Sequence, residues 1–239
     1  MRRLLLSDVH LSPRHPDRTR SFLVFLGREA PRTGELYLLG DLFDYWIGPK
    51  HLDLPDYREA LEALRDLAAR GTRVVFFAGN RDFYLRRRFR DFLGAQVVHG
   101  ALDATFAAGR VHLCHGDRLC TRDRATRRAQ AVIRSSLVEA VFTRLPVRLA
   151  RFLAEGYRAH SRRVTPGKPA HHVALDDRAV LEVFRGGADV IVCGHTHQAA
   201  KHTWHLAGRD KVLFSLGDWA DGPSYLVEEQ GTWHLYGAG

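Results

Sequence analysis

Short apolar runs alternate with segments of helical periodicity through the first half of the chain. The runs 4–6, 36–39 and 74–77 are made of Leu, Val, Phe and Tyr, and turn-forming residues bound each of them. Apolar residues recur at helical spacing over 17–30 and 55–69. Strands that alternate with helices pair in parallel and are buried on both faces. The pattern therefore predicts an α/β fold.

Further core strands are expected in the second half. The runs Val111–Cys114 and Asp189–Cys193 have the same apolar character. Hairpin-like sequence over 96–109 precedes the first run, and helical sequence from about 170 to 185 precedes the second. From 201 to 236, short alternating strands are separated by glycine-containing turns. The sequence thus predicts further strands on both sides of a helix.

The composition indicates a folded intracellular domain. The chain has 239 residues, of which 45% are hydrophobic, so a substantial core can form without disulfides, and a disordered chain is excluded. Its three cysteines are few and odd in number, which favours a reduced, cytosolic compartment. The first apolar run is too short for a signal peptide, and no run approaches the roughly 20 residues of a membrane-spanning helix.

The positive charge lies in one segment. The net charge of +9 points to an anionic partner, which could be nucleic acid, an acidic lipid surface or a phosphorylated substrate. Residues 118–168 hold 13 Arg or Lys against three acidic residues, so this segment carries +10 and the remainder carries −1. The anionic partner is therefore expected to meet this segment.

The same segment is predicted to be a helical insertion. From Ala125 onward it has an apolar helix face that is interrupted at Pro146. We predict a core domain of 1–120 and 169–239 and a helical insertion at 121–168. The apolar face could pack on its own domain or receive lipid chains, and the basic helices could contact nucleic acid, although few aromatic residues there could stack on bases.

Five predicted strands end in residues that bind metals. In an α/β sheet the carboxyl ends of the strands line one crevice, so these side chains are expected to converge. Within two of the motifs, a one-residue spacing lets both side chains of an extended segment point the same way. The candidate ligands at the five strand ends are Asp8 and His10, Asp41, Asn80, His115, and His195 and His197.

These seven groups predict a site for two metal ions. Four imidazoles, two carboxylates and an amide oxygen suit Mn²⁺, Fe²⁺ or Zn²⁺ better than calcium or a structural zinc. Two such ions can generate a hydroxide and neutralise a phosphoryl group during displacement. Asp41 is the candidate bridge between the ions. Asp44 and Asp117 are interpreted as residues that orient the ligand histidines or form turns.

Five motifs at these strand ends together resemble those of the calcineurin-like metallophosphoesterase superfamily, and they span almost the whole chain. In chain order they are D-x-H, G-D-x-x-D, G-N-x-D, H-G-D and G-H-x-H. Many members have a histidine after the asparagine, whereas this chain has Arg81. The stretches 79–83 and 45–48, and the position of the insertion, resemble the family of UDP-2,3-diacylglucosamine diphosphatases. The resemblance implies a β-sandwich flanked by helices, with a helical lid insertion.

The resemblance also implies which residues form the site. One Mn²⁺ would be held by Asp8, His10, Asp41 and His197, and the other by Asp41, Asn80, His115 and His195. The implied catalytic residues are Arg81, Asn80, His115 and His195. Asn80, Arg81 and His195 would contact the phosphate, and the sugar phosphate would be bound by Asp123, Ser161 and Lys168.

The implied reaction is hydrolysis of UDP-2,3-diacylglucosamine to UMP and 2,3-diacylglucosamine 1-phosphate in lipid A biosynthesis, through a hydroxide that bridges the metals. The lid would receive the acyl chains and contact the anionic inner membrane from its cytoplasmic face, and no nucleic acid is expected as a partner. Two alternatives remain open. One is a phosphodiesterase or nucleotide pyrophosphatase that acts on a soluble substrate, and the other is a metal-binding or nucleic-acid-associated scaffold with an inactive site.

Overall fold

The computed structural model describes residues 1–82, 84–121, 130–164 and 174–237, with the backbone alone for 160–164. Within them, a six-stranded sheet has the order β11-β10-β1-β2-β3-β4. Strands β1 to β4 run parallel, and β10 and β11 are antiparallel additions. The strands are β1 (Arg2–Leu6), β2 (Glu35–Leu38), β3 (Arg73–Phe77), β4 (Gln96–Val98), β10 (Tyr225–Glu229) and β11 (Thr232–Tyr236).

A five-stranded sheet has the order β5-β6-β7-β9-β8. Its three central strands are parallel and its two edge strands are antiparallel. The strands are β5 (Ala101–Phe106), β6 (Gly109–Cys114), β7 (Val190–Cys193), β8 (Ala200–Leu206) and β9 (Arg209–Ser215). The parallel strands β1, β2 and β3 end within one residue of each other in register, and β6, β7 and β9 end together, so the ends of neighbouring strands lie at one edge of each sheet.

Alternate residues of each strand enter different apolar layers. Leu5 and Phe77 of the first sheet share a buried cluster with Leu113 and Val192 of the second, so the two sheets pack face to face. On the outer face of the first sheet, Leu4 and its neighbours pack under α1 (Pro16–Glu29), α2 (Pro55–Ala69) and α3 (Arg87–Leu93). The predicted α/β sandwich flanked by helices is confirmed, as is the burial of the first three strands on both faces.

Helix α6 (Asp177–Arg185) covers the outer face of the second sheet through Val180 and Phe184. The expected start of this helix near residue 170 is wrong, because residues 174–176 are not helical. The Asp176 side chain accepts a hydrogen bond from the backbone N–H of Arg178 at 3.0 Å, which caps the helix start.

Two helices from the predicted insertion lie over the loop that follows β2. They are α4 (Ser136–Arg144) and α5 (Val147–Val164), and Pro146 separates them as the sequence indicated. Ala150 of α5 packs with Tyr45 and Ile47 of that loop. Part of the apolar face therefore packs on the rest of the protein, while other apolar side chains of the two helices are exposed. Among the described residues, no helix is long and apolar enough to cross a membrane.

Candidate metal centre

The loops that follow β1, β2, β3, β6 and β7 meet where the carboxyl edges of the two sheets come together. Within the first sheet, the backbone N–H of Asp8 donates to the Gly40 carbonyl at 3.1 Å. Within the second, the N–H of Gly194 donates to the His115 carbonyl at 2.9 Å. The structure thus brings together the five motifs that the sequence placed at strand ends.

The backbone of this site departs from the extended conformation that the sequence analysis assumed. Five candidate ligands have positive φ angles, in the left-handed region that residues with a Cβ rarely occupy. Such conformations cost on the order of 1–3 kcal/mol each and cluster at functional sites. The angles are 53° for Asp8, 54° for His10, 54° for Asp41, 71° for His195 and 60° for His197. The convergence of these side chains therefore comes from tightly turned loops rather than from strand alternation.

Two glycines allow these loops to approach each other closely. A Cβ at Gly79 would collide with the carboxylate and the backbone nitrogen of Asp41. A Cβ at Gly194 would collide with the side chains of Ser7 and Asp8. The glycines of these two motifs are therefore required by contacts between loops that are distant in sequence.

Asp8, His10 and His197 form the first group of donor atoms. The Nε2 atoms of His10 and His197 are 3.3 Å apart and lie 3.7 Å and 3.4 Å from Oδ1 of Asp8. This Oδ1 is buried and has no hydrogen-bond partner in the part of the chain that the structure describes, whereas Oδ2 accepts from Ser7 Oγ at 2.7 Å and from the His195 N–H at 2.8 Å. A buried carboxylate oxygen that faces two imidazole nitrogens in this way fits a divalent cation.

Asp8, Asp41 and His115 form the second group. Nε2 of His115 lies 3.7 Å from Asp41 Oδ1 and 2.8 Å from the Asn80 amide oxygen. Nδ1 of His115 lies 2.9 Å from the Leu39 carbonyl, and a proton on Nδ1 that donates to this carbonyl would leave Nε2 available as a metal ligand. The His195 ring lies beside that of His115, with 5.1 Å between centroids. Asp8 belongs to both donor groups, whereas a bridging role for Asp41 stays a prediction.

Two acidic residues that the sequence analysis did not assign support the site. Asp82 accepts hydrogen bonds from the backbone N–H groups of Gly79, Leu42 and Asp41 at 2.8, 2.9 and 3.2 Å. Asp218 lies 3.1 Å from Nδ1 of His197. Asp82 stands in the predicted G-N-x-D motif, and Asp218 follows β9, so the strand-end rule that identified the ligands also pointed to both.

The charges of the site are strongly coupled. Burial opposes ionisation of Asp8, yet its contacts with His197 and His115 hold its pKa well below the usual range. Burial also opposes protonation of His197, but Asp218 and Asp8 raise its pKa to about 9. Burial and His115 lower the pKa of His195 to about 4. Without a metal, a protonated imidazole therefore balances the Asp8 carboxylate, and a bound cation would replace that proton.

Arg81 lies between the donor groups and the solvent-facing side of the site. Its Nη1 is 2.8 Å from His10 Nδ1 and its Nε is 3.2 Å from Asp41 Oδ2. Nη1 also donates to Asp44 Oδ1 at 3.3 Å. Asp44 was expected to orient the ligand histidines or to form a turn. Its carboxylate accepts from Arg158 and from Arg81, and Arg81 in turn contacts His10.

Asp117 lies in a turn, which is one of the two roles expected for it, because the Leu119 N–H donates to the Gly116 carbonyl at 2.9 Å. Its carboxylate also accepts a hydrogen bond from Arg134 at 2.9 Å. Arg134 also donates to the Gly79 carbonyl at 3.2 Å, so this arginine holds the loop that carries Asn80. Spacing along the chain does not reveal such arginine contacts, because they depend on where the insertion lies on the core.

A groove of about 230 Å³ opens beside Asn80 and Arg81, between the core and the helices of the insertion. Most of its lining is aromatic or aliphatic. Besides those two residues, the lining consists of Tyr45, Trp46, Tyr84, Gln130, Ile133, Val138, Phe142, Leu153, Ala154, Tyr157 and Arg158. A lipid-like group in this groove would lie next to the polar site.

Two of the three residues predicted to bind the sugar phosphate lie outside the described part of the chain. Asp123 and Lys168 lie outside the described residues, and Ser161 is present as part of the α5 backbone. Their assigned roles stay predictions.

Residues 1–199 match the family model of the calcineurin-like phosphoesterases, and the chain belongs to this family. It is 37% identical over 229 residues to the UDP-2,3-diacylglucosamine hydrolase of Chromohalobacter salexigens, a match that covers 95% of this chain and 92% of the relative. It is 36% identical over 238 residues to the protein of the same name from Edwardsiella ictaluri, covering 98% and 91%.

Among solved structures, a dimetal phosphatase from Danio rerio aligns with a TM-score of 0.51 and 14% sequence identity, covering 95% of this chain and 91% of that chain. That likeness shows the shared fold. Family membership and the two donor groups together define a metal-dependent hydrolase whose site binds divalent cations.

Proposed function

We propose that this protein hydrolyses the pyrophosphate bond of UDP-2,3-diacylglucosamine and releases UMP and 2,3-diacylglucosamine 1-phosphate. The observation that carries the proposal is the continuity between the candidate metal centre and the apolar groove, which share Asn80 and Arg81. A substrate with a charged pyrophosphate next to acyl chains matches that arrangement. The names of the relatives from C. salexigens and E. ictaluri give the same substrate.

The metal assignment follows the donor groups and the resemblance. Two Mn²⁺ ions are proposed, one held by Asp8, His10, Asp41 and His197 and the other by Asp41, Asn80, His115 and His195. Two observations support binding of cations there. Among the described residues Oδ1 of Asp8 has no hydrogen-bond partner, and the contact of His115 Nδ1 with the Leu39 carbonyl would leave Nε2 available as a ligand. When bound, such ions supply Lewis acidity toward a phosphoryl oxygen and lower the pKa of a water molecule.

The side chains around the donor groups have separate tasks toward the phosphates. Arg81 is fixed on one side by Asp41 and Asp44, and its guanidinium can stabilise negative charge on the transferred or leaving phosphate. Asn80, His115 and His195 are the other proposed catalytic groups, of which Asn80 and His195 also contact the phosphate. Asp123, Ser161 and Lys168 are proposed to bind the sugar phosphate.

The groove is proposed to receive the acyl chains. Each methylene group that it buries contributes about 0.8 kcal/mol, so a few carbons of one chain suffice to discriminate strongly against a soluble substrate. The insertion at 121–168 then acts as a lid on a core of 1–120 and 169–239.

The outer face of the lid is proposed to contact the anionic inner membrane from the cytoplasmic side, without a nucleic-acid partner. Leu137 and Phe152 are 74% and 72% exposed, and Val141 is 56% exposed. Apolar side chains beside many arginines are typical of surfaces that lie on anionic lipids. The charge of +10 on residues 118–168 supports the same location.

The proposal is tested by comparing kcat/KM for UDP-2,3-diacylglucosamine and for UDP-glucosamine, which lacks both acyl chains, in the presence of Mn²⁺. We expect an advantage of roughly 100-fold or more for the acylated substrate, because binding energy from the chains supports the reaction. Equal values would favour a phosphodiesterase or nucleotide pyrophosphatase that acts on soluble substrates. Asp41→Ala and His115→Ala should be folded and inactive toward both.

A further inference from the structure

One carboxylate oxygen joins the insertion to the candidate catalytic arginine. Arg158 of α5 is only 7% exposed, and its Nη2 and Nε donate to Asp44 Oδ1 at 2.7 and 3.1 Å. Nη1 of Arg81 donates to the same oxygen at 3.3 Å. Asp44 is therefore shared by an arginine of the insertion and an arginine of the metal centre.

The position of Arg81 depends on this arrangement. The same Nη1 lies 2.8 Å from His10 Nδ1, and Nε lies 3.2 Å from Asp41 Oδ2, so Arg81 also contacts two candidate ligands. Two guanidinium groups this close to each other repel strongly in a partly buried environment unless a carboxylate lies between them. Removing the charge of Asp44 would therefore displace one or both arginines.

Two other ion pairs between the insertion and the core are more exposed. The side chains of Arg86 and Glu139 form one of them, with Arg86 51% exposed, and Arg14 and Glu155 form the other, with Arg14 54% exposed. Exposed pairs of this kind contribute little to stability. The Asp44–Arg158 contact differs from these pairs because it is buried and because Asp44 also accepts a hydrogen bond from Arg81.

We infer that Asp44 and Arg158 are positioning residues that hold the Arg81 guanidinium in place and make that placement depend on helix α5. The inference rests on the proposed function in one respect, namely that Arg81 acts on the phosphoryl group. Arg158 also lines the groove, so an occupant of the groove that holds α5 in place also stabilises the position of Arg81.

A double-mutant cycle tests the inference. Asp44→Asn should lower kcat about ten- to a hundredfold, since a displacement of about 1 Å at a reacting group has effects of that size. Its KM should stay within about threefold of the original value, because the groove is retained. In the Arg81→Ala background, measured at high enzyme concentration, Asp44→Asn should have no further effect on kcat. Arg158→Lys should retain more activity than Arg158→Ala.

Arg86→Ala, which breaks an exposed pair between the same two parts of the protein, is the matched control and should change kcat less than about twofold. If Asp44→Asn does not fold, as judged by its thermal midpoint, the cycle is run with Arg158→Ala and Arg81→Ala. The inference is overturned if the two substitutions reduce kcat independently, or if the change is confined to KM.

Every variant is also assayed with bis(p-nitrophenyl) phosphate, a small diester that needs no groove. If the original protein hydrolyses this diester and not UDP-2,3-diacylglucosamine, the proposed function fails. The double-mutant cycle is then evaluated from the kcat values for the diester alone. Independent effects on the diester would overturn the inference separately from the proposed function.

Discussion

His10 and His197 lie 187 positions apart in the sequence, and their Nε2 atoms are 3.3 Å apart in the structure. His10 follows β1 of the six-stranded sheet, whereas His197 follows β7 of the five-stranded sheet. The donor group that they form with Asp8 therefore spans the junction between the two sheets. Binding of a cation at this junction is linked to formation of the whole sandwich.

Mn²⁺ should raise the thermal midpoint of the protein. A ligand that binds the folded state alone adds about 2.7 kcal/mol to the free energy of unfolding at a hundredfold excess over its Kd. Differential scanning calorimetry with Mn²⁺ and with a chelator measures the difference. In a His10→Ala/His197→Ala variant the Mn²⁺-dependent rise should be clearly smaller, and an equal rise in that variant would place the metal elsewhere.

Gly79→Ala should abolish activity while Gly27→Ala leaves it intact. The added Cβ at Gly79 would collide with Asp41, whereas at Gly27, within α1, no described atom beyond the neighbouring helix backbone lies within 4 Å of the added atom. Helix propensity favours alanine over glycine by about 1 kcal/mol, so Gly27→Ala should be as stable as the original protein or more stable. The prediction is tested by measuring the activity and the thermal midpoint of both variants. An active Gly79→Ala enzyme would contradict the close contact between Gly79 and Asp41.

Stability should fall in acid because of His51. This histidine is fully buried against Trp46 and Tyr57, and burial lowers its pKa from 6.5 to about 3. The unfolded chain protonates it near pH 6.5, so the folded state is favoured above that pH, and this contribution is lost as the pH falls toward 3. It amounts to about 2 kcal/mol between pH 7 and pH 5.

Urea unfolding at the two pH values measures the effect. The control is His51→Gln, which keeps an acceptor for the Ile47 N–H. This variant should lose less stability between pH 7 and pH 5 than the original protein. The same loss in both proteins would show that His51 is not the group responsible.

Filling the groove should impair turnover of the acylated substrate selectively. Ala154 lines the groove, so Ala154→Phe should raise KM or lower kcat/KM for UDP-2,3-diacylglucosamine about tenfold or more. Hydrolysis of bis(p-nitrophenyl) phosphate should change little. Val24→Phe adds its bulk at an exposed position of α1, outside the insertion, and should affect neither substrate. Equal losses for both substrates in Ala154→Phe would argue against the groove as the acyl site.

Much of the architecture follows from local patterns in the sequence. The boundaries of α2 coincide with the predicted segment 55–69, because Pro55 starts the helix and its apolar face is regular. The convergence of Asp8, Asp41 and His115 follows from a general property of strand ends in α/β sheets. Those features depend on periodicity and strand order, which a single sequence displays.

The finer geometry of the site could not be predicted in this way. The positive φ of Asp8 and His10 arises from loops packed against each other, and an extended segment was expected instead. Asp44 and Asp117 each accept from an arginine of the insertion, whose placement on the core no spacing in the sequence encodes. Such contacts are set by tertiary packing between distant segments.

Product identity tests the central claim most directly. The purified protein is incubated with UDP-2,3-diacylglucosamine and Mn²⁺, and the nucleotide released is identified by chromatography and mass spectrometry. Attack of water on one phosphorus atom, with cleavage of its bond to the bridging oxygen, predicts UMP together with 2,3-diacylglucosamine 1-phosphate, and no product with Asp41→Ala. Release of UDP, or no turnover of this substrate by the original protein, would contradict the account.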